Sequence, residues 1–285
     1  MRFSNARIDA FIEEDVPYID LTCEVLGIHN QPGEMEYFTR ESCVLAGTDI
    51  VRRIMRNLDC EVLTSSKDGQ LVSAGQTFFT VRGAAADLHA AWKACLNVFD
   101  HLSAVATKTR SMVDEVHAVN PECEVLTTRK SMPGAKDLLA CAVMAGGAFP
   151  HRLGLSETVL VFEQHLSFFG GFNRFVEELP RVKARCVEKK LFVEADAQRA
   201  IALARASSDG HGVDGIQLDK VPVSELAELV RRIREIDPRI TIIAAGGINP
   251  QNAGAYAACG VDGLATTAPF TAKPVDMSVR MSPLE

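Results

Sequence analysis

Two acids, Glu194 and Asp219, each follow a short apolar run. If they share one mouth, their carboxylates suit Mg²⁺ or ribose hydroxyls, because hard oxygen ligands match a hard, partly hydrated cation. Arg129, Lys130, His151 and Arg152 form a cationic set. Arginine grips carboxylate or phosphate through two parallel hydrogen bonds. In Gly246-Gly247-Ile248-Asn249-Pro250, a buried strand would lead to a helix capped by Asn249, with Pro250 in its first turn. Two glycines let an anion approach backbone N–H groups, and a helix dipole favours negative charge. Together these residues fit a substrate carrying phosphates and carboxylates. A plain turn, solvated loop acids and surface charges are the bland readings.

The elements that would position them follow a repeating pattern after Asn120-Pro121. Strands are read over 124–128, 158–162, 191–193, 215–218, 241–244 and 263–266, with helices near 137–145, 171–185, 196–206, 223–235 and 250–259. Alternation of this kind gives an α/β fold with a parallel sheet. Chemistry in such sheets collects at the carboxyl ends of the strands. Those ends deliver, in order, Arg129-Lys130, Glu163-Gln164-His165, Glu194, Asp219-Lys220, Gly246-Gly247 and Thr266-Thr267. A complete eight-unit barrel needs at least ~200 residues, so the segment 108–271 is expected to form an incomplete α/β barrel. Residues 1–107, joined by the tail 272–285, are expected to form an α+β open-faced sandwich. Its signals are a helical start at 10–14, strands at 61–64 and 77–81, and a helical stretch over 85–116. In that stretch Leu88, Trp92, Leu96, Phe99, Val105, Met112 and Val116 can share a face.

Composition excludes other classes. The 285 residues carry 30 Lys plus Arg against 37 Asp plus Glu, a net charge of −7, with 47% hydrophobic and 24% charged residues. These are the proportions of a globular protein, and the acidic balance argues against nucleic-acid binding. No run of ~18 apolar residues reads as a membrane span, and the N-terminus lacks an apolar signal core. The cysteines at 23, 43, 60, 95, 123, 141, 186 and 259 form no Cys-x-x-Cys unit. They read as small buried hydrophobes in a reducing cytoplasm.

Longer motifs carry a resemblance. Thr128-Arg129-Lys130-Ser131-Met132-Pro133-Gly134 is followed by Gly146-Gly147-Ala148-Phe149-Pro150-His151-Arg152-Leu153-Gly154-Leu155. This resembles the type II phosphoribosyltransferases, the family of quinolinate phosphoribosyltransferase (nicotinate-nucleotide pyrophosphorylase). The likeness runs from Asp15-Val16-Pro17-Tyr18-Ile19-Asp20-Leu21-Thr22 to Gly260-Val261-Asp262. The Asp-Val-Pro-Tyr opening and the segment from His151 to Phe162 look most like the ModD branch, which is associated with molybdate-transport operons.

The resemblance implies an open-faced sandwich on an incomplete barrel, and a homodimer in which one subunit's front domain covers its partner's barrel mouth. The family reaction joins 5-phosphoribosyl-1-pyrophosphate to a ring nitrogen of a heteroaromatic acid, with Mg²⁺ and release of pyrophosphate. With quinolinate, in NAD biosynthesis, decarboxylation follows. Matched residue by residue, Arg129, His151 and Arg152 fall where the acid binds, and Lys130 near diphosphate and acid. Glu194 and Asp219 fall on the pair that holds ribose hydroxyls or metal. Gly246 and Gly247 fall on the 5′-phosphate loop, with Ala265 and Thr266 alongside.

The departures bear on the acceptor. Lys93 replaces an arginine that reaches across the dimer, and Phe162 replaces a lysine that touches acid and diphosphate. Lys220 stands where asparagine is usual, and Ala244-Ala245 where small polar or acidic residues are usual. An aromatic ring in place of a cation suggests an acceptor less anionic than quinolinate at that edge. The sequence-level expectation is a ModD-like transferase in which Lys130, Glu194 and Asp219 carry the chemistry. Competing readings are quinolinate transfer itself, a non-catalytic anion-binding accessory protein, and a Schiff-base aldolase-type barrel using Lys130 or Lys220.

Overall fold

The computed structural model describes residues 3–284. Its described residues divide into two compact units, one within Met1–Arg110, Met132–Gly147 and Pro269–Glu285, the other Ser111–Ser131 with Ala148–Ala268.

The first unit is built on strands β1 (Pro32–Thr39), β3 (Glu61–Ser65), β5 (Thr77–Ala84) and β13 (Met277–Pro283), in the order β13-β1-β5-β3. Successive residues of a strand point to opposite faces. On β1 this buries Gly33, Met35, Tyr37 and Thr39. On its other face Glu34 meets Arg82 at 3.0 Å and Glu36 meets Arg280 at 3.6 Å. The tail enters the sheet as β13, antiparallel to β1 from Gly33↔Pro283 to Thr39↔Met277. A two-stranded ribbon, β2 (Cys43–Val44) with β4 (Leu71–Val72), and helices α1 (Asn5–Asp15), α2 (Leu21–Leu26) and α3 (Thr48–Asn57) complete this part. The helical stretch read over 85–116 is one helix, α4 (Ala85–His117), of 33 residues, about 50 Å long. Its Phe99 ring lies 5.4 Å from Tyr37, 5.0 Å from Phe78 and 5.7 Å from Phe79, giving the unit an aromatic centre.

Helix α5 (Lys136–Ala145) also counts with the first unit, beyond the boundary read from the sequence. The cause lies at Gly146, where a Cβ would sit 2.4 Å from Thr109 Cβ and 2.6 Å from the Ala106 carbonyl oxygen. Backbone meets backbone there, and Arg110 Nε donates to the Gly146 oxygen at 2.9 Å. Gly146→Ala is expected to cost about 2–3 kcal/mol through overpacking. Urea unfolding monitored by circular dichroism measures this; an unchanged midpoint would show that the contact yields freely.

The second unit is a seven-stranded sheet in the order β7-β6-β12-β11-β10-β9-β8. Its strands are β6 (Glu124–Thr127), β7 (Phe149–Pro150), β8 (Val159–Val161), β9 (Leu191–Ala195), β10 (Gly215–Asp219), β11 (Thr241–Ala245) and β12 (Gly263–Thr266). Every pairing is parallel. The central strands β9 to β12 are buried almost throughout, as expected of a parallel sheet covered on both faces. Helices α9 (Ala197–Ser207), α10 (Val223–Ile236) and α11 (Ala253–Ala257) connect successive strands from β9 to β12. On α10, Leu226, Leu229, Val230 and Ile233 are buried at helical spacing. The sheet curls into a half-barrel, its edge strands β7 and β8 each pairing with one neighbour.

Two expectations need correction. The sequence reading has six strands, whereas β7 makes a seventh. The single helix expected over 171–185 is instead α7 (Phe172–Glu177) and α8 (Leu179–Ala184), preceded by α6 (Glu163–Phe169). Pro180 near the start of α8 has no N–H to continue the α7 ladder. Among the described residues, no helix is long and apolar enough to cross a membrane.

Candidate active site

The inner face of the half-barrel is apolar low down and polar at the carboxyl ends. Leu160, Phe192, Ile243, Ala245 and Ala265 form its floor, with Leu126 and Phe162 against them. Gly215 makes room for the Phe192 ring, whose nearest carbon would lie 2.1 Å from a Cβ at that position.

Two residues above Phe192, Glu194 shares this face with its register partner Gln217. The Gln217 amide donates to Glu194 Oε2 at 2.7 Å. Asp219 stands two residues further along β10, opposite Ala245. Burial raises the Glu194 pKa above the usual glutamate value; Gln217 lowers it, Asp219 raises it, and Lys130 and Lys220 lower it. Glu194 thus feels Asp219 and both lysines, as a member of a cluster at one mouth must. Lys220 Nζ lies 3.8 Å from Asp219 Oδ2, its side chain 79% exposed.

The glycine loop abuts the acids. Gly246 and Gly247 both have positive φ, +93° and +72°. A Cβ on Gly246 would come within 2.5 Å of Lys220 Cγ, 2.9 Å of Lys220 N and 3.0 Å of Asp219 Oδ1. Gly247 has nothing within 4 Å of a Cβ, so its outer side is open. The helix expected to begin at Pro250 under an Asn249 cap starts instead at Ala253 and runs only to Ala257. Asn249 and Asn252 are spent on the loop: both side-chain amides donate to the Gly247 oxygen at 3.1 Å, and Asn252 Oδ1 accepts from Asn249 N at 2.8 Å. The glycine loop therefore has no long helix dipole behind it.

Thr266 is 2% exposed. Its hydroxyl donates to the Ile248 oxygen at 2.7 Å and accepts from Ala268 N at 3.0 Å. The Thr266 hydroxyl thus ties β12 to the loop. Ala265 belongs to the apolar floor.

The cations gather across the same face. Arg129 and Lys130 are exposed just beyond β6, where Lys130 N donates to Thr128 Oγ1 at 3.3 Å. His151 and Arg152 follow β7, and the His151 ring meets Phe192 edge-on at 6.5 Å. Burial and the Arg152 charge both hold the His151 pKa below the usual value, so its imidazole is neutral at neutral pH. Arg152 is buried, with Nη1 donating to the Thr158 oxygen at 3.3 Å. Burial and then Arg129 lower its pKa, which leaves an arginine charged. Its guanidinium lies 5.8 Å from the centre of the Phe162 ring, which stacks on His165. Lys93 stands in the first unit, on α4, with its ammonium 4.8 Å from the Trp92 ring.

Gln217 is the site residue that the sequence reading missed. A lone amide at the centre of Gly215-Ile216-Gln217-Leu218-Asp219 shares the side-chain alternation of Asp219, and that signal was available.

A mouth combining paired acids, a glycine loop and a basic cluster, at the carboxyl ends of a parallel α/β half-barrel, is the fold of the phosphoribosyltransferase class. Comparison with known families agrees. The C-terminal domain of quinolinate phosphoribosyl transferase matches residues 105–280 and the N-terminal domain matches residues 20–103. The chain belongs to this quinolinate phosphoribosyltransferase family. Among relatives, ModD of Pasteurella multocida, a pyrophosphorylase by name alone, is 33% identical over 277 residues, covering 97% of each chain. ModD of Rhodobacter capsulatus, named in the same way, is 37% identical over 245 residues, covering 86% of this chain and 92% of that one. Among solved structures, the nicotinate-nucleotide pyrophosphorylase of Francisella tularensis superposes with a TM-score of 0.85 at 25% identity, covering 99% and 98% of the two chains.

Proposed function

We propose that this protein transfers the phosphoribosyl group of 5-phosphoribosyl-1-pyrophosphate to a ring nitrogen of a heteroaromatic acid, releasing pyrophosphate. The observation that carries the reading is the contact of Gly246 with Asp219 and Lys220, beside Glu194 held by Gln217. A phosphate on the open side of Gly247 would leave its ribose next to both carboxylates. Glu194 and Asp219 would hold Mg²⁺, and two mutually repelling carboxylates, one raised by burial, suit a cation. When bound, Mg²⁺ offsets charge on the diphosphate.

The protein's own residues meet the rest of the problem, which is to bear positive charge on the ribose while the anomeric C–O bond breaks. The Glu194 and Asp219 carboxylates stabilise that charge, and Arg129 and Lys130 receive the departing diphosphate. Neutral His151 and charged Arg152 orient the acceptor acid over C1, an entropic gain. Lys220 adds positive charge beside Asp219. The reading includes a homodimer in a reducing cytoplasm, supported by eight free thiols and by exposed Tyr18, Ile19, Leu21, Val25 and Leu26.

A pyrophosphate-release screen over pyridine and other heteroaromatic acids, quinolinate included, tests the proposal. Release that requires both one acceptor and Mg²⁺ supports it. Ligand binding without turnover across the panel would replace it with the anion-binding accessory reading. Within the same screen, Phe162→Lys is expected to raise kcat/KM for dicarboxylic over monocarboxylic acceptors about tenfold, the worth of one charged hydrogen bond. An unchanged ratio would remove Phe162 from acceptor choice.

A further inference from the structure

We propose that Asp20, Cys23 and His89 form a binding site for a borderline-soft divalent cation of the Zn²⁺ type, clasping α2 to α4 within the first unit. A carboxylate oxygen, the thiol sulfur and a ring nitrogen all lie within 4.8 Å of one another, the only such trio among the described residues. None of the three has a part in the phosphoribosyl site.

Asp20 caps α2, its Oδ1 accepting from Thr22 N at 2.9 Å and Cys23 N at 3.1 Å, and its carboxylate also accepts from the Cys23 thiol, a contact that metal binding would replace. Cys23 is 1% exposed on the inner side of α2, whereas Leu21, Val25 and Leu26 face outward. His89 Nδ1 lies 2.6 Å from the Ala85 carbonyl oxygen, a contact that requires the proton on Nδ1. Nε2 therefore keeps the lone pair. Metal-bound histidines are commonly fixed in this way, by donation from the second nitrogen to a carbonyl. Asp20 and His89 are half-buried, so an ion can enter from solvent.

The donor set selects the metal class. One thiolate, one imidazole and one carboxylate suit Zn²⁺ and disfavour Mg²⁺. With Zn–S of ~2.3 Å and Zn–N or Zn–O of ~2.0–2.1 Å, tetrahedral donors stand roughly 3.3–3.8 Å apart. The side chains need to close by about 1 Å, and water takes the fourth position. Burial and the Asp20 carboxylate hold the Cys23 thiol pKa at about 11, so it is protonated before metal binds. Binding forms the metal–sulfur bond and releases that proton to solvent. The dipositive ion then balances the thiolate and the carboxylate.

Titration of the chelator-treated full chain with Co²⁺ tests the site. The expected result is a thiolate-to-cobalt charge-transfer band that saturates at one equivalent, with the intense visible bands of four-coordinate cobalt. Zn²⁺ should displace it. Cys23→Ser is expected to abolish the charge-transfer band, and His89→Gln to weaken binding at least about tenfold. An ion held by Glu194 and Asp219 gives no thiolate band, so the two sites are distinguishable. The proposal is overturned if the unaltered chain shows no such band, or if the band keeps its affinity in His89→Gln. The second criterion decides even if Cys23→Ser fails to fold.

Discussion

Replacing Glu194 with glutamine is expected to remove phosphoribosyl transfer almost entirely while leaving the folded chain at least as stable at neutral pH. Loss of a charge aimed at the developing cation should lower kcat by about 10²–10³. Stability moves the other way. The folded-state pKa of Glu194 lies above its unfolded value, chiefly through burial, with Asp219 adding to the rise. A carboxyl raised in this way is bound to its proton more tightly by the folded chain. Its stabilising contribution is therefore present at low pH and lost as pH rises through the folded-state value. Above that value the ionised form is a burden that glutamine lifts, and Gln217 can still donate to the new amide oxygen. Urea unfolding at two pH values measures this, and the gain should vanish below the glutamate range. The acidic limb of the wild-type rate profile should lie above that of an ordinary glutamate. A variant that kept its activity and lost stability would show that Glu194 is structural.

Gly246→Ala should be nearly as damaging to turnover and far worse for the fold. A Cβ there would come within 2.5 Å of Lys220 Cγ and 2.9 Å of Lys220 N, and φ is +93°. Side chains avoid that backbone region at a cost of about 1–3 kcal/mol, and the clash with main chain adds about as much. Relief requires Asp219 and Lys220 to move, so kcat/KM should fall about 10²-fold, since misplacement near 1 Å costs that much. Gly247→Ala is the control. It meets nothing within 4 Å, so its stability loss should be limited to the φ penalty of about 1 kcal/mol. Its added methyl occupies the open side, so the Michaelis constant for the phosphoribosyl donor should rise instead. Steady-state kinetics with thermal unfolding separates the two variants. Equal behaviour would mean that the Gly246 contact is incidental.

What the sequence disclosed depended on how local each signal was. The central strands β9 to β12 are apolar runs that lead into polar, charged or glycine residues, and the helices between them carry 3.6-residue spacing, so their order could be read directly. The strand β7 could not, because Phe149–Pro150 is two residues long and contains a proline, which sheets confine to edges. On β1 the alternation of Met35 and Tyr37 with Glu34 and Glu36 was present but passed over, since two glutamates disguise a strand. The start of α11 was misplaced for a different reason. Asn249 has the chemistry of a cap, but its side chain bonds to Gly247 and Gln251 within the loop, a competition that spacing does not reveal. Gathering the site itself needed only the rule that strand ends share a rim. Gln217 escaped because that rule looks past the strands and not along them.

An unclosed sheet leaves two rims whose backbone groups could recruit a strand from another molecule. Here both rims are short, two residues in β7 and three in β8. Pro150 also removes one amide from the β7 rim. The half-barrel can thus stay open without offering a template for fibre growth, and lengthening either rim would be the change that invites it.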